Sequence, residues 1–315
     1  VWSVLQRRNG DLLVGTWGAG LFVRRGDSFE IAGETGPVAE PVVALHESRN
    51  GDLWVGTIAG LRRYQGGKLV WSVDRSRLMF PDVRAITEAP DGTVWFGMSG
   101  GGLGALRDGD LTVYRKSDGL PSNFVQALLA EADGTLWIGT SDAGLGRWRA
   151  GRFSRIGRAE GLPAAALCHL VDDGTGNLWI SSNRGIFRLN KIELNRCAEG
   201  ELPMVRCISY GKAEGLATLV CSGGFNPGAR QTEDGHLWFP TAKGLASIDP
   251  ANVTINPVPP PVVIEELLAD GVSVDLKAAD GELRIPPGRQ RFEVRYTALS
   301  FVAPEKVRFR YKLEG

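Results

Sequence analysis

Short runs of alternating apolar and polar residues, each closed by a glycine-containing turn, recur along most of this chain at a spacing of 41 or 42 residues. The pattern is clearest at Asn50-Gly51-Asp52-Leu53-Trp54-Val55-Gly56-Thr57, Asp91-Gly92-Thr93-Val94-Trp95-Phe96-Gly97 and Asp133-Gly134-Thr135-Leu136-Trp137-Ile138-Gly139-Thr140. Weaker copies begin at Asn9, Gly176 and Asp234, making six in all. Asn-Gly and Asp-Gly accept positive φ at both central positions, so each copy predicts a tight hairpin. The second copy reads as strands at 42–47, 53–57, 61–64 and 68–73, joined by turns at Asn50-Gly51, Ala59-Gly60 and Gly66-Gly67. Each repeat is therefore a four-stranded antiparallel unit.

Within the second strand, alternation places Trp54 and Gly56 on one face and Leu53, Val55 and Thr57 on the other. Both faces need cover, and sheets stacked radially supply it, with the glycine leaving room for a bulky side chain of the next sheet. A period of this length selects a β-propeller over a sandwich or a solenoid. Trp54, Trp95, Trp137, Trp179 and Trp238 are expected at equivalent, mostly buried positions.

Two places break the period. Between Trp179 and Trp238 the spacing grows by 17 residues, which predicts an insertion near 189–222 with a short helix at its start. Pro259-Pro260-Pro261 then marks a linker at 258–261, because consecutive prolines cannot continue a ladder. Beyond it, strands are predicted at 262–269, 282–285, 291–299 and 307–313, too few for a complete immunoglobulin-like sandwich. The expected fold class is thus all-β, with a propeller of six blades at 1–257 and a partial sandwich at 262–315. Val1 aligns with Val42, which opens a blade, so the chain is expected to begin inside a larger protein.

Composition agrees with this architecture and narrows the chemistry. The 315 residues include 42 glycines and 17 prolines, as a turn-rich β protein requires. Lys plus Arg and Asp plus Glu each number 36, so no charge excess points to nucleic acid or an anionic membrane. No apolar run approaches the ~20 residues of a membrane-spanning helix. Cys168, Cys197, Cys207 and Cys221 form no CxxC pair, and buried thiols are the simplest expectation for them. His46, His169 and His236 fall in three different blades without metal-ligand spacing, and no G-x-S-x-G elbow or phosphate-binding glycine loop is present. No metal, cofactor or catalytic residue is expected, and the chain by itself is expected to be no enzyme.

The Asp-Gly-Thr-Leu-Trp-Ile-Gly-Thr repeats, the stretches Glu214-Gly215-Leu216 and Cys221-Ser222-Gly223-Gly224-Phe225-Asn226, and the segment from Phe292 to Gly315 together carry a resemblance. They resemble the two-component regulator propeller followed by its tyrosine-containing immunoglobulin-like domain. The resemblance extends over essentially the whole chain. It implies a seven-bladed extracytoplasmic sensor region of a bacterial membrane protein, such as a histidine kinase or hybrid kinase, with the seventh blade upstream of Val1. It further implies a periplasmic location, a membrane-anchored parent that is a homodimer, and a small-molecule or oligosaccharide ligand. A propeller lyase or hydrolase similar to the streptogramin lyases and a protein-binding scaffold are the alternatives.

Loops between the second and third strands of a blade emerge on the same face as the connections between blades. Trp17, Arg84, Asp142, Arg184 and Asn226 are the candidate ligand-binding residues there, because an aromatic platform with charged and amide groups suits a polar ligand.

Overall fold

A computed structural model describes residues 1–32, 40–253, 261–274, 288, 290–299, 307, 309 and 311–312. The chain divides into two units, Val1–Val253 and Thr254–Gly315. In the first unit, strands follow one another as antiparallel meanders. Blade one is β1 (Ser3–Gln6), β2 (Leu12–Gly15), β3 (Leu21–Arg25) and β4 (Ser28–Ile31). Blade two is β5 (Val42–Glu47), β6 (Leu53–Thr57), β7 (Gly60–Gln65) and β8 (Lys68–Asp74). Blade three is β9 (Val83–Glu88), β10 (Val94–Met98), β11 (Gly102–Arg107) and β12 (Asp110–Tyr114). Blade four is β13 (Val125–Ala130), β14 (Leu136–Thr140), β15 (Leu145–Arg149) and β16 (Arg152–Ile156). Blade five is β17 (Leu167–Asp172), β18 (Asn177–Ser182), β19 (Gly185–Asn190) and β20 (Cys207–Tyr210), with helix α1 (Lys191–Ala198) inserted before its last strand. The sixth sheet is β21 (Arg230–Gln231), β22 (Leu237–Thr241) and β23 (Gly244–Ile248), and residues 254–260, where a fourth strand would fall, lie outside the described residues. This is a β-propeller.

The repeated Leu-Trp-Val-Gly-Thr strand can now be read position by position. The tryptophans of blades two to five pack on the following blade: Trp54 shares a cluster with Val83, Ile86 and Phe96, and Trp137 with Leu167, Leu170 and Ile180. Each glycine admits the residue that opens the next inner strand. A Cβ at Gly56 would lie 2.8 Å from Val83 Cγ1 and one at Gly15 2.7 Å from Val42 Cγ1, while Gly97 is matched in the same way by Val125. The threonine closes the next hairpin, its hydroxyl donating to the carbonyl of Gly60 from Thr57 (3.2 Å) and to that of Gly144 from Thr140 (2.8 Å). The turn acids serve folding too, since Asp91 and Asp133 accept the backbone N–H of Thr93 (3.0 Å) and Thr135 (2.9 Å).

One expectation about the tryptophans needs correction. Trp54, Trp95, Trp137 and Trp179 are 3%, 7%, 0% and 0% exposed, whereas Trp238 is 37% exposed. The reason is the direction in which this side chain points. It reaches toward a following blade, and in the sixth sheet no described sheet follows; Leu245, whose counterparts Leu61, Leu103 and Leu145 are fully buried, is 70% exposed there.

The insertion helix α1 is capped by Asn190, whose side chain accepts from the backbone N–H of Ile192 (2.9 Å) and Glu193 (3.2 Å). Leu194 and Cys197 turn inward to close the cluster between blades four and five. Arg147 of blade four ties the helix down through the Asn195 side chain (2.7 Å) and Glu199 (3.1 Å).

The second unit holds one described sheet, in the order β25-β24-β26, formed by β24 (Val262–Ala269), β25 (Val272–Val274) and β26 (Phe292–Ala298). The strand predicted at 282–285 lies outside the described residues; of the strand predicted at 307–313, residues 307, 309, 311 and 312 are described and none of them is in a strand. Strand β25 was not predicted, although Asp270-Gly271 at φ 51° and 79° is the tight turn that introduces it.

The blade contacts make a quantitative expectation. Trp137→Ala should destabilise the first unit by about 3–5 kcal/mol and Gly97→Ala by about 1–3 kcal/mol through overpacking against Val125. Trp238→Ala should cost less than half as much as Trp137→Ala. Urea unfolding of the three variants checks the order.

Candidate functional site

In blades two to five the innermost strand carries one extra residue opposite its partner. The unpaired residues are Val43, Arg84, Gln126 and Cys168, each directly after the residue that fills the preceding blade's glycine notch. A bulge of this kind re-aims a side chain out of the ladder. All four lie near the N-terminal ends of the inner strands, on the face that carries the connections between blades, here termed the rim.

The residues from Ser222 to Ala229, leading into the sixth sheet, meet these bulges. Asn226 donates its backbone N–H to Val43 O (3.0 Å), and its carbonyl accepts from Leu45 N (2.8 Å), a parallel pairing with blade two. Arg84 Nη1 of blade three donates to Gly224 O (3.1 Å). A Cβ on Gly224 would lie 3.0 Å from Gln126 Oε1 of blade four, and one on Gly223 2.8 Å from Cys168 Cβ of blade five. Gly228 passes directly against the His169 ring. A segment that touches the inner strands of four blades must run where those strands converge, so it occupies the centre of the propeller at the rim. The glycines are what permit so close a backbone approach.

Around this central segment lie buried polar atoms without a hydrogen-bond partner among the described residues. Arg84 Nη2 pairs with Asp82 Oδ2 at 2.5 Å, yet Arg84 Nε and Asp82 Oδ1 have no hydrogen bond, nor has His169 Nε2. The Arg84 and Asp82 side chains keep 17% and 25% of their surface exposed. Aromatic rings frame the pair. Trp17 stacks on Trp2 (centroids 4.4 Å apart), Trp2 meets Phe225 edge-on (6.4 Å), and Phe225 meets His169 (5.2 Å). Phe80 and Phe124, both exposed, flank Gly100 across the neighbouring loops.

Of the five candidates, the structure therefore brings Arg84 and Asn226 together, with Trp17 connected to them through Trp2 and Phe225. Asn226 takes part through its backbone. Asp142 and Arg184 stand exposed on the hairpin tips of blades four and five, and their side chains make no hydrogen bond or ion pair among the described residues. Asp82, Gln126, Phe80 and His169 belong to the mouth without having been selected. The Gly223-Gly224 and Gly228 positions were the available signal for the central segment, but a glycine announces a close approach without naming what approaches.

No group of three or more His, Cys, Asp or Glu side chains that could hold a metal occurs among the described residues. No described helix is long and apolar enough to cross a membrane.

The fold class is a β-propeller, shared with extracellular domains of component systems and with lyases. Residues 119–142, spanning one repeat through β13 and β14, match the family model of the two component regulator propeller, and the chain thus carries a repeat of that kind. The extracellular domain assigned to the hybrid two component system BT3049 from B. thetaiotaomicron superposes with a TM-score of 0.68 at 21% identity, over 96% of this chain and 41% of that one. The extracellular domain assigned to the one component system BT4673 from B. thetaiotaomicron gives 0.59 at 15% identity, over 87% of this chain and 42% of that one. A catalytically inactive virginiamycin B lyase from Staphylococcus aureus, solved with quinupristin, gives 0.57 at 17% identity, over 80% and 82%. Likeness at these identities is likeness of fold, and the chain spans about two fifths of the two extracellular domains. No curated protein sequence matches it.

His169 gives the mouth a pH signature. Burial pushes its pKa down to about 4, with a backbone hydrogen bond to Ser222 working weakly the other way. A folded pKa below the unfolded value means that the unfolded chain takes up a proton first. Stability should therefore fall with decreasing pH between about 6.5 and about 4, at up to about 1.4 kcal/mol per pH unit. His169→Gln should flatten that slope in chemical unfolding curves recorded at several pH values.

Proposed function

We propose that this chain is an extracytoplasmic ligand-sensing module of a bacterial membrane signalling protein, a two-component sensor, and that it binds a small hydroxyl-rich ligand such as a glycan fragment at the rim mouth. The observation that carries the reading is the Arg84–Asp82 pair. The pair keeps 17% and 25% of its side-chain surface exposed while Arg84 Nε and Asp82 Oδ1 are buried without a partner, so a charged donor and a charged acceptor stand side by side for a ligand hydroxyl that accepts from one and donates to the other. Trp17 and Phe124 offer exposed ring faces for the apolar side of such a ligand. The central segment supplies the link to an output, because Arg84 holds Gly224 directly and the segment runs on into the sixth sheet, from which the chain continues to the second unit. A ligand preferring one position of this segment would shift the population of the two arrangements. The parent would be anchored in the membrane with this region in the periplasm, act as a homodimer, and carry the second unit as an immunoglobulin-like relay.

A lyase reading draws on the shared fold of virginiamycin B lyase. Its requirement is a histidine with an acidic partner in the mouth. His169, the histidine that lies there, packs against Phe225 and Gly228 and has no acidic side chain hydrogen-bonded to it among the described residues.

Titration calorimetry against a panel of neutral and acidic oligosaccharides tests the proposal. One member should bind saturably, and Arg84→Ala should weaken it at least about tenfold, a loss of about 1.4 kcal/mol. Asp142→Ala and Arg184→Ala should leave the melting temperature unchanged, as suits exposed positions. Binding that survives Arg84→Ala at full strength would move the site elsewhere.

A further inference from the structure

The four cysteines are thiols in this structure, and two of them meet at the root of the central segment. Cys168 is the bulge residue of blade five, and Cys221 is the residue from which the segment departs. Both flank the same residue of β18: Cys221 donates its backbone N–H to Ser182 O (3.0 Å), and Ser182 is the cross-strand partner of Leu167, next to Cys168. The Cys168 thiol donates to Cys221 O at 3.4 Å, the Cys221 thiol faces Gly185 O at 4.0 Å, and both cysteines belong to the same apolar cluster between blades five and six. Gly223, two residues on, lies against Cys168 Cβ, so the backbone is already drawn up to this cysteine.

We infer that Cys168 and Cys221 form a disulfide in an oxidising compartment, a covalent tie between the inner strand of blade five and the root of the central segment. The reaction is an exchange with an external small-molecule or protein disulfide. The thiolate of one cysteine attacks a sulfur of that disulfide, giving a mixed disulfide and one released thiol. The second thiolate then attacks the protein-bound sulfur, closing the Cys168–Cys221 bond and releasing the second thiol. Two electrons pass to the external disulfide, and the two cysteine protons end on its sulfurs or in water. In the folded chain both thiols are hard to ionise, burial pushing Cys168 up to about 12 and Cys221 upward as well. Closure therefore belongs to folding, before the segment packs into the mouth, and is slow once the propeller is complete.

The position sets the consequence. A bond here replaces a weak S–H contact at the point where the segment leaves the wall of the propeller. It fixes the root while the stretch from Gly223 to Asn226 stays held by hydrogen bonds and by the ring contacts of Phe225. Cys197 on α1 and Cys207 on β20 lie elsewhere in blade five and take no part.

The test is peptide mapping of the purified chain refolded in a glutathione redox buffer, alkylated after denaturation without reductant. A linked pair of peptides containing Cys168 and Cys221, lighter by two hydrogens than the separate peptides, is the expected result, with Cys197 and Cys207 alkylated. Alkylation of both Cys168 and Cys221 under these conditions overturns the inference, as does a bond from either of them to Cys197 or Cys207. Reductant should lower the melting temperature of the refolded chain and leave that of Cys168→Ser unchanged; an equal drop in both would also overturn it.

Discussion

The structure depends on one contact between neighbouring blades, a glycine in the second strand that receives the residue opening the next inner strand. Gly15 receives Val42, Gly56 receives Val83, Gly97 receives Val125, and Gly139 stands against Leu167. This contact sets how closely two sheets approach, and so whether the tryptophan beside the glycine is covered. It also sets where the mouth residues point. The residue after each notch-filling side chain is the bulge, so fixing Val83 in its notch aims Arg84 at the centre, and fixing Val125 aims Gln126 there. Packing and site thus share one determinant.

The sixth sheet is where this rule is relaxed. Its inner strand is reduced to Arg230–Gln231, because the preceding residues leave the wall and run through the mouth. Its second strand has Pro240 where blades two to four carry the notch glycine, and Trp238 and Leu245 stay exposed on that side. The departure from repeat geometry and the assembly of the mouth are two aspects of the same rearrangement. Consistency between local pattern and fold is lost here, as expected where a chain serves a site.

Much of the propeller could be read beforehand because its signals are local. Asn-Gly and Asp-Gly turns, a strand of alternating faces and a glycine for the neighbouring side chain are each written within a few residues. The helix after Asn190 was visible for the same reason, its cap lying next to it. The mouth was only partly legible, since its central element pairs with residues far away in sequence. Arg84 and Gly224 are 140 positions apart. Nothing in Gly223-Gly224-Phe225-Asn226 says that it will lie against Val43 and Cys168. The bulges are equally silent, because one extra residue in an inner strand is absorbed in a period that already varies between 41 and 42. Trp238 misled because its motif is intact and its cover is not part of its motif.

The central segment is a fixed part of the propeller, joined to blade two by hydrogen bonds in both directions. Amide hydrogen exchange resolved to single residues tests this most directly. The amides of Asn226 and Leu45, which donate to Val43 O and Asn226 O, should exchange together and as slowly as those of the inner strands. Exchange of Asn226 at the rate of an unstructured loop, with Leu45 protected independently of it, would contradict the account.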